Sequence, residues 1–169
     1  RARVFQFSAF TFDVAVMDVF FTLLNGGCIC MPSEADRMND LAGAINRSGA
    51  TLMSQVPSLF ATIDPASVPT LQYLVSGGEK MSTAFMEQWK SRHVVNAYGP
   101  SESTVVATVS IKSDGSGELI NNDGTDIGVP ACGRAWVVDA ENPNKLLPHG
   151  ATGELVLEGP NVGRGYLNN

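Results

Sequence analysis

Leu71-Gln72-Tyr73-Leu74-Val75-Ser76-Gly77-Gly78-Glu79, followed by Thr83–Ser91 and then His93-Val94-Val95-Asn96-Ala97, is the stretch on which the fold turns. An apolar run, a glycine turn, a helical spacing and a second apolar run make one strand–helix–strand unit. Strands this apolar are buried on both faces, as in parallel sheets. Working outward, the alternation repeats. Val4–Ser8 reads as a strand, and Asp13–Leu24 as a helix with Val14, Met17, Phe20, Phe21 and Leu24 at helical spacing. Gly26-Gly27 stops that helix, and Cys28–Met31 is a short strand closed by Pro32. Asp36–Arg47 reads as an amphipathic helix, Ala50–Val56 as a strand, and Pro57–Ile63 as a helix with proline at its first position. The expected fold class is α/β, a parallel sheet with helices on both faces, over residues 1–110.

After Tyr98 the texture changes. Ser103–Ile111 is apolar and β-branched, and Lys112–Thr125 reads as a polar loop rich in Gly, Asp and Asn. Ala135–Asp139 and Glu154–Glu158 are short alternating strands joined by a loop containing Pro143 and Pro148. Residues 111–169 are therefore expected to be a smaller β-rich region. No repeat of 20–50 residues is present.

Composition narrows the function. Hydrophobic residues at 44% and charged ones at 17% of 169 residues supply a sizeable core and argue against disorder. A net charge of −6 opposes binding to nucleic acid or to an anionic membrane. The apolar stretch Val14–Leu24 is broken by Asp18 and is far short of the roughly 20 residues of a membrane span. Three cysteines make no disulfide framework and point to a reducing, cytoplasmic setting. Cys28 and Cys30 read as buried structural residues rather than metal ligands. The opening Arg1-Ala2-Arg3 and the closing Leu167-Asn168-Asn169 carry no start or stop signature, so an excised part of a longer protein is expected.

Ligands of open α/β sheets bind beyond the carboxyl ends of the strands. Three clusters fall there: Phe12-Asp13, Ser76-Gly77-Gly78-Glu79, and Asn96-Ala97-Tyr98-Gly99-Pro100-Ser101-Glu102. Asp13 suits a substrate cation beside the apolar Val14 and Met17, or simply a helix N-cap. Gly77 and Gly78 let a flat ligand approach the backbone, or make an ordinary turn. Tyr98 offers a ring to stack on a base, and Ser101 with Glu102 suits a phosphate oxygen and Mg²⁺, or a plain capped loop. There is no Gly-x-x-x-x-Gly-Lys-Ser/Thr loop, no Gly-x-Ser-x-Gly elbow and no His-Glu-x-x-His.

Three blocks carry a resemblance. Phe12-Asp13-Val14-Ala15-Val16-Met17 with Leu23-Leu24-Asn25-Gly26-Gly27, the Asn96–Glu102 block, and Gly153-Glu154-Leu155-Val156-Leu157-Glu158-Gly159 running into Val162-Gly163-Arg164-Gly165-Tyr166-Leu167 are similar to motifs of adenylation domains of nonribosomal peptide synthetases, in the adenylate-forming superfamily. Ala15 stands where Ser is common, Ser101 where Thr is common, and Pro160-Asn161 in a turn that usually contains Gly. The resemblance implies a flavodoxin-like subdomain and a ligase that uses ATP and Mg²⁺ to convert an amino acid to aminoacyl-AMP. The acyl group then passes to the phosphopantetheine thiol of a carrier protein, beside condensation domains of the same synthetase.

Position by position, the resemblance implies that Asp13 pairs the substrate α-ammonium. Val14, Met17, Ser54, Val75, Gly77, Ala97, Val105 and Val106 would line its side-chain pocket. Tyr98 would stack on adenine, with Gly77, Gly78, Glu79, Asn96 and Ala97 around the base. Ser101 would meet phosphate, and Glu102 would hold Mg²⁺. The lining implies a bulky apolar or aromatic amino acid. The family's phosphate loop, ribose-binding motif and catalytic lysine lie outside these residues, so the chain alone is expected to lack turnover. The alternatives are an acyl- or aryl-acid ligase of the same superfamily, which would lack a carboxylate at position 13, and a non-catalytic excised subdomain.

Overall fold

The computed structural model describes residues 1–167. Seven strands form one sheet in the order β2-β1-β3-β4-β5-β6-β7, and three more form a second sheet in the order β10-β8-β9. In the large sheet, β1 (Arg3–Phe5), β2 (Cys28–Cys30), β3 (Leu52–Gln55), β4 (Tyr73–Gly77) and β5 (His93–Tyr98) are mutually parallel. β6 (Thr108–Asp114) and β7 (Val129–Pro130) complete it in antiparallel fashion. The small sheet, β8 (Arg134–Asp139), β9 (Asn142–Leu146) and β10 (Glu154–Glu158), is wholly antiparallel. This is the α/β class expected, with the smaller β region after it.

The chain leaves β1 for β2 through α1 (Asp13–Leu24), then turns back across the sheet through α2 (Glu34–Asn39) and α3 (Leu41–Ser48) to reach β3. It continues in that second direction through α4 (Pro57–Phe60) and α5 (Thr83–Trp89). Right-handed crossovers in opposite directions put α1 on one face and α3, α4 and α5 on the other.

Strand register divides the faces cleanly. Cys30, Phe5, Met53, Leu74 and Val94 are paired neighbours in one row, and every one is buried in the main core. Ile45, Phe60, Phe85, Met86 and Trp89 pack against that row. One residue further along each strand, Ser54, Val75 and Val95 form the next row, which points to the opposite face because side chains alternate.

Several boundaries differ from the sequence expectation for local reasons. The helix expected over 36–47 is two helices. The Ser33 hydroxyl accepts from the Asp36 N–H at the start of α2, and the Asp40 carboxylate accepts from the Gly43 N–H at the start of α3. Asp40 (φ −149°, ψ 56°) thus ends one helix and caps the next. β4 starts two residues later than expected and takes in Ser76-Gly77, so these finish a strand rather than make a turn. The stretch 112–125, expected as a loop, gives its first three residues to β6. The expected loop between the last two strands contains β9, where Pro143 sits on an exposed edge strand that tolerates a missing N–H.

Candidate functional site

α1 begins at Asp13, and the extended residue before it is Phe12, which has no capping side chain. Asp13 is therefore the first residue of the helix, and the N-cap alternative does not describe it. Its Oδ2 instead accepts from the Ser101 hydroxyl at 2.5 Å, tying the helix start to the short helical turn Ser101–Ser103.

Asp13 stands at a cavity of about 370 Å³. Val14 and Met17 of α1, Ser54 of β3, Val75 and Gly77 of β4, Ala97 of β5 and Val105-Val106 all line it. Alternation explains why residues so far apart in sequence meet: 75 and 77 lie on one face of β4, while 54 and 97 pair with 75 and 77 across the strands. Gly77 admits no side chain, because a Cβ there would lie 2.0 Å from the Ala97 carbonyl oxygen. Thr104 and Val105 hold left-handed backbone (φ 58° and 68°), which swings the chain from the Ser101–Ser103 turn to the cavity wall. Sequence reasoning missed Phe12, Gln55, Val56, Gly78, Gly99, Pro100 and Ser101 as part of this lining. Phe12, Gly99 and Pro100 belong to the quoted motif blocks, so membership of those blocks was the signal.

A second cavity, about 540 Å³, adjoins it and shares Gly78, Ala97, Gly99 and Pro100. Glu79, Asn96 and Tyr98 line this one, as do Lys80, Gly124, Thr125 and Ile127. Gly77 and Ser101, grouped by sequence with these residues, line the first cavity instead. The Glu79 carboxylate accepts from the Ser58 N–H and hydroxyl at 3.1 and 2.9 Å, so it is engaged with the start of α4. Asn96 is buried and donates to the Asp126 carbonyl at 3.0 Å.

Glu102 lies apart, in a recess lined by Ser101, Gly163, Gly165 and Tyr166. The Tyr166 hydroxyl donates to its Oε1 at 2.6 Å and holds the Glu102 carboxyl below its ordinary pKa. The third motif thereby reaches the second one, which the sequence spacing did not reveal.

Next to the lining residue Ser54 lies an acid that the sequence reading passed over. Asp18, on α1, is 2% exposed, and its Oδ2 has no hydrogen-bond partner. Burial pushes its pKa up from 3.8 to about 6, and the Ser54 hydroxyl, its side-chain neighbour on the cavity, pulls it partly back. Among the described residues, no helix is long and apolar enough to cross a membrane.

A mostly parallel α/β sheet, with two adjoining cavities built from the ends of its strands, defines a ligand-binding domain of the open-sheet class. The AMP-binding enzyme family model matches residues 1–167. Nonribosomal peptide synthetase 1 of Aspergillus fumigatus is 55% identical over 167 residues, which cover 99% of this chain and 3% of that protein. Nonribosomal peptide synthetase nlsA of Emericella nidulans is 53% identical over 169 residues, covering 100% of this chain and 3% of that protein. Among solved structures, the Vibrio cholerae adenylation domain AlmE in complex with glycyl-adenosine-5'-phosphate is 28% identical, with a TM-score of 0.77 over 100% of this chain and 34% of that one. Holo-PA1221, with adenylation and PCP domains and a bound vinylsulfonamide inhibitor, is 26% identical, with a TM-score of 0.82 over 100% and 30% respectively. The chain belongs to the AMP-binding enzyme family. It spans a few per cent of the length of these synthetases and about a third of the solved adenylation proteins.

Proposed function

We propose that this chain recognises an amino acid and the nucleotide that activates it, within an enzyme that forms aminoacyl-AMP from an amino acid and ATP. The observation that carries this reading is the convergence of Asp13, Val14, Met17, Ser54, Val75, Gly77, Ala97, Val105 and Val106 on one cavity beside a second that holds Tyr98. Asp13 pairs the α-ammonium. That cation takes the place of the Ser101 hydroxyl or joins it at the same carboxylate. The adjoining cavity takes the adenine base, with Tyr98 as its stacking ring, and Ser101 stands at the junction where carboxylate and α-phosphate meet.

Away from Asp13 and Ser101 the cavity wall is mostly apolar, with Ser54 and Gln55 its polar members and no charged group, so a large uncharged side chain fits and a charged one would be buried without an ionic partner. Trp and Phe are the favoured substrates. Catalysis is mainly positioning and charge neutralisation. Glu102 offers one carboxylate, the number Mg²⁺ takes when substrate phosphates supply the other oxygens. Bound there, the ion would neutralise phosphate charge. Turnover, and transfer to a carrier protein's phosphopantetheine thiol, require parts that these residues do not supply. The acyl- or aryl-acid alternative gives the Asp13 carboxylate no cation to pair, only the Ser101 hydroxyl it already has.

Calorimetric titration of the chain with Trp, Phe, Leu and Lys, with and without ATP, tests the reading. Trp or Phe should bind more tightly than Leu, and Lys should not bind. Preference for Lys, or for an acid without an amine, would refute it.

A further inference from the structure

Lys112 is a charged residue that neither cavity uses, yet its side chain is completely buried. An ammonium has three N–H donors, and a buried one is tolerated when all three are answered. Here they are. Lys112 Nζ donates to the Asp123 carbonyl at 2.7 Å, the Asp126 carbonyl at 3.0 Å and Asp126 Oδ2 at 3.2 Å. Every acceptor lies on the segment 121–128.

The same segment is held from other sides. Asp126 Oδ2 also accepts from the Ser110 hydroxyl at 2.5 Å and the Asn121 amide at 2.7 Å, while Oδ1 accepts from the Gly128 N–H at 3.0 Å. The Asp126 carbonyl accepts from Asn96. Gly124 is pressed so close to the start of α5 that a Cβ would lie 1.9 Å from the Met81 carbonyl oxygen. Between these anchors, Gly124, Thr125 and Ile127 face the Tyr98 cavity. A polar, glycine-containing segment with few apolar contacts would otherwise sample many conformations.

We propose that Lys112 is a positioning residue for nucleotide binding: by tying Asp123 and Asp126 to β6, it fixes residues 124–127 as the wall of the Tyr98 cavity. This rests on reading that cavity as the nucleotide's. Lys112 touches no ligand. Its effect is on the nucleotide half of the site and leaves the Asp13 cavity, to which segment 121–128 contributes nothing, as it was.

The test substitutes Lys112→Met, which keeps the length and removes the donors. Hydrogen exchange of the 121–128 amides is measured on this chain, and KM values on the complete adenylation domain that contains it. Exchange at 121–128 should accelerate. KM for ATP should rise about ten- to a hundredfold, the scale of a small misplacement of binding groups, with KM for the amino acid unchanged. Unchanged exchange and unchanged KM for ATP would overturn the proposal, as would an equal rise in both KM values, which marks general damage. Should Lys112→Met fail to fold, Asn121→Ala removes another donor to the same Asp126 Oδ2 and must raise KM for ATP in the same selective way. An NMR titration of the wild-type chain with ATP separates the two readings. If Tyr98 and Thr125 resonances do not shift, the cavity is not the nucleotide's and both fall. If they shift while Lys112→Met leaves ATP binding intact, only the role of Lys112 falls.

Discussion

Replacing Asp18 by asparagine should make the protein more stable at neutral pH than at acid pH, relative to wild type. Asp18 is 2% exposed, and its pKa in the folded chain is about 6 against an ordinary 3.8. Below pH 3.8 the carboxyl is protonated whether the chain is folded or not, and burial of the neutral acid carries no ionisation cost. Between 3.8 and 6 the unfolded chain releases its proton while the folded one keeps it, so stability falls as pH rises. Above 6 both are ionised and the full cost stands. At about 1.4 kcal/mol per pH unit, that gap amounts to about 3 kcal/mol. Asparagine does not titrate, so the difference in stability between Asp18→Asn and wild type should grow by about 3 kcal/mol from pH 3.5 to pH 7.5. For a chain of this size that is roughly 6–12 °C in Tm. Urea titrations of both proteins across the pH range read it directly. The amide brings one new donor into a buried place, but that penalty is the same at every pH and cancels from the slope. A difference that stays flat with pH, or shrinks on approaching neutrality, would refute the assignment of Asp18 as the buried titrating acid. Because Asp18 is hydrogen-bonded to Ser54, a residue of the cavity lining, a confirmed penalty would mean that stability is given up beside the binding site.

Asp13→Ala in the complete adenylation domain should lower kcat/KM for the amino acid by about two to four decades, from the roughly 3–5 kcal/mol typical of stranding one buried charge at about 1.4 kcal/mol per decade. The analogue without the amine should be spared, as stopped kinetics with both substrates would show, and an equal loss on both would speak against the amine anchor. Val105→Gly should change stability by less than about 1 kcal/mol, because release of left-handed strain (φ 68°) offsets the lost side chain. Val106→Gly, with no such strain to release, should cost about 2 kcal/mol; thermal melts of the two variants make the comparison.

The repeat of apolar runs and helical spacings made the parallel core legible, because buried strands and amphipathic helices leave distinct periods in sequence. Turn chemistry was legible less often. Asp40 divides a continuous helical pattern because its side chain caps α3, a local competition that periodicity does not register. The lining of the first cavity could be carried over from motif resemblance, yet its partners could not. Nothing in the spacing of residues 13 and 101 announces the Asp13–Ser101 hydrogen bond, nor that of 102 and 166 the contact of Tyr166 with Glu102. Those depend on how α1 and the chain after β10 meet the end of β5. The stretch 112–125 reads in sequence only as polar and loop-like, since a buried lysine has the same letter as an exposed one.

The alternation of the strands gives this domain a separable pair of genetic tasks. Met53, Leu74 and Val94 answer for the core, while their immediate neighbours Ser54 and Val75 answer for the cavity, and the two sets look in opposite directions. Lineages of such domains can therefore drift toward new ligands by changing single codons at the cavity positions, with the core residues beside them left untouched. Gly77 is the exception. Its place is fixed by the Ala97 backbone, so that position is closed to the same drift, and diversification of the pocket must run through its other walls.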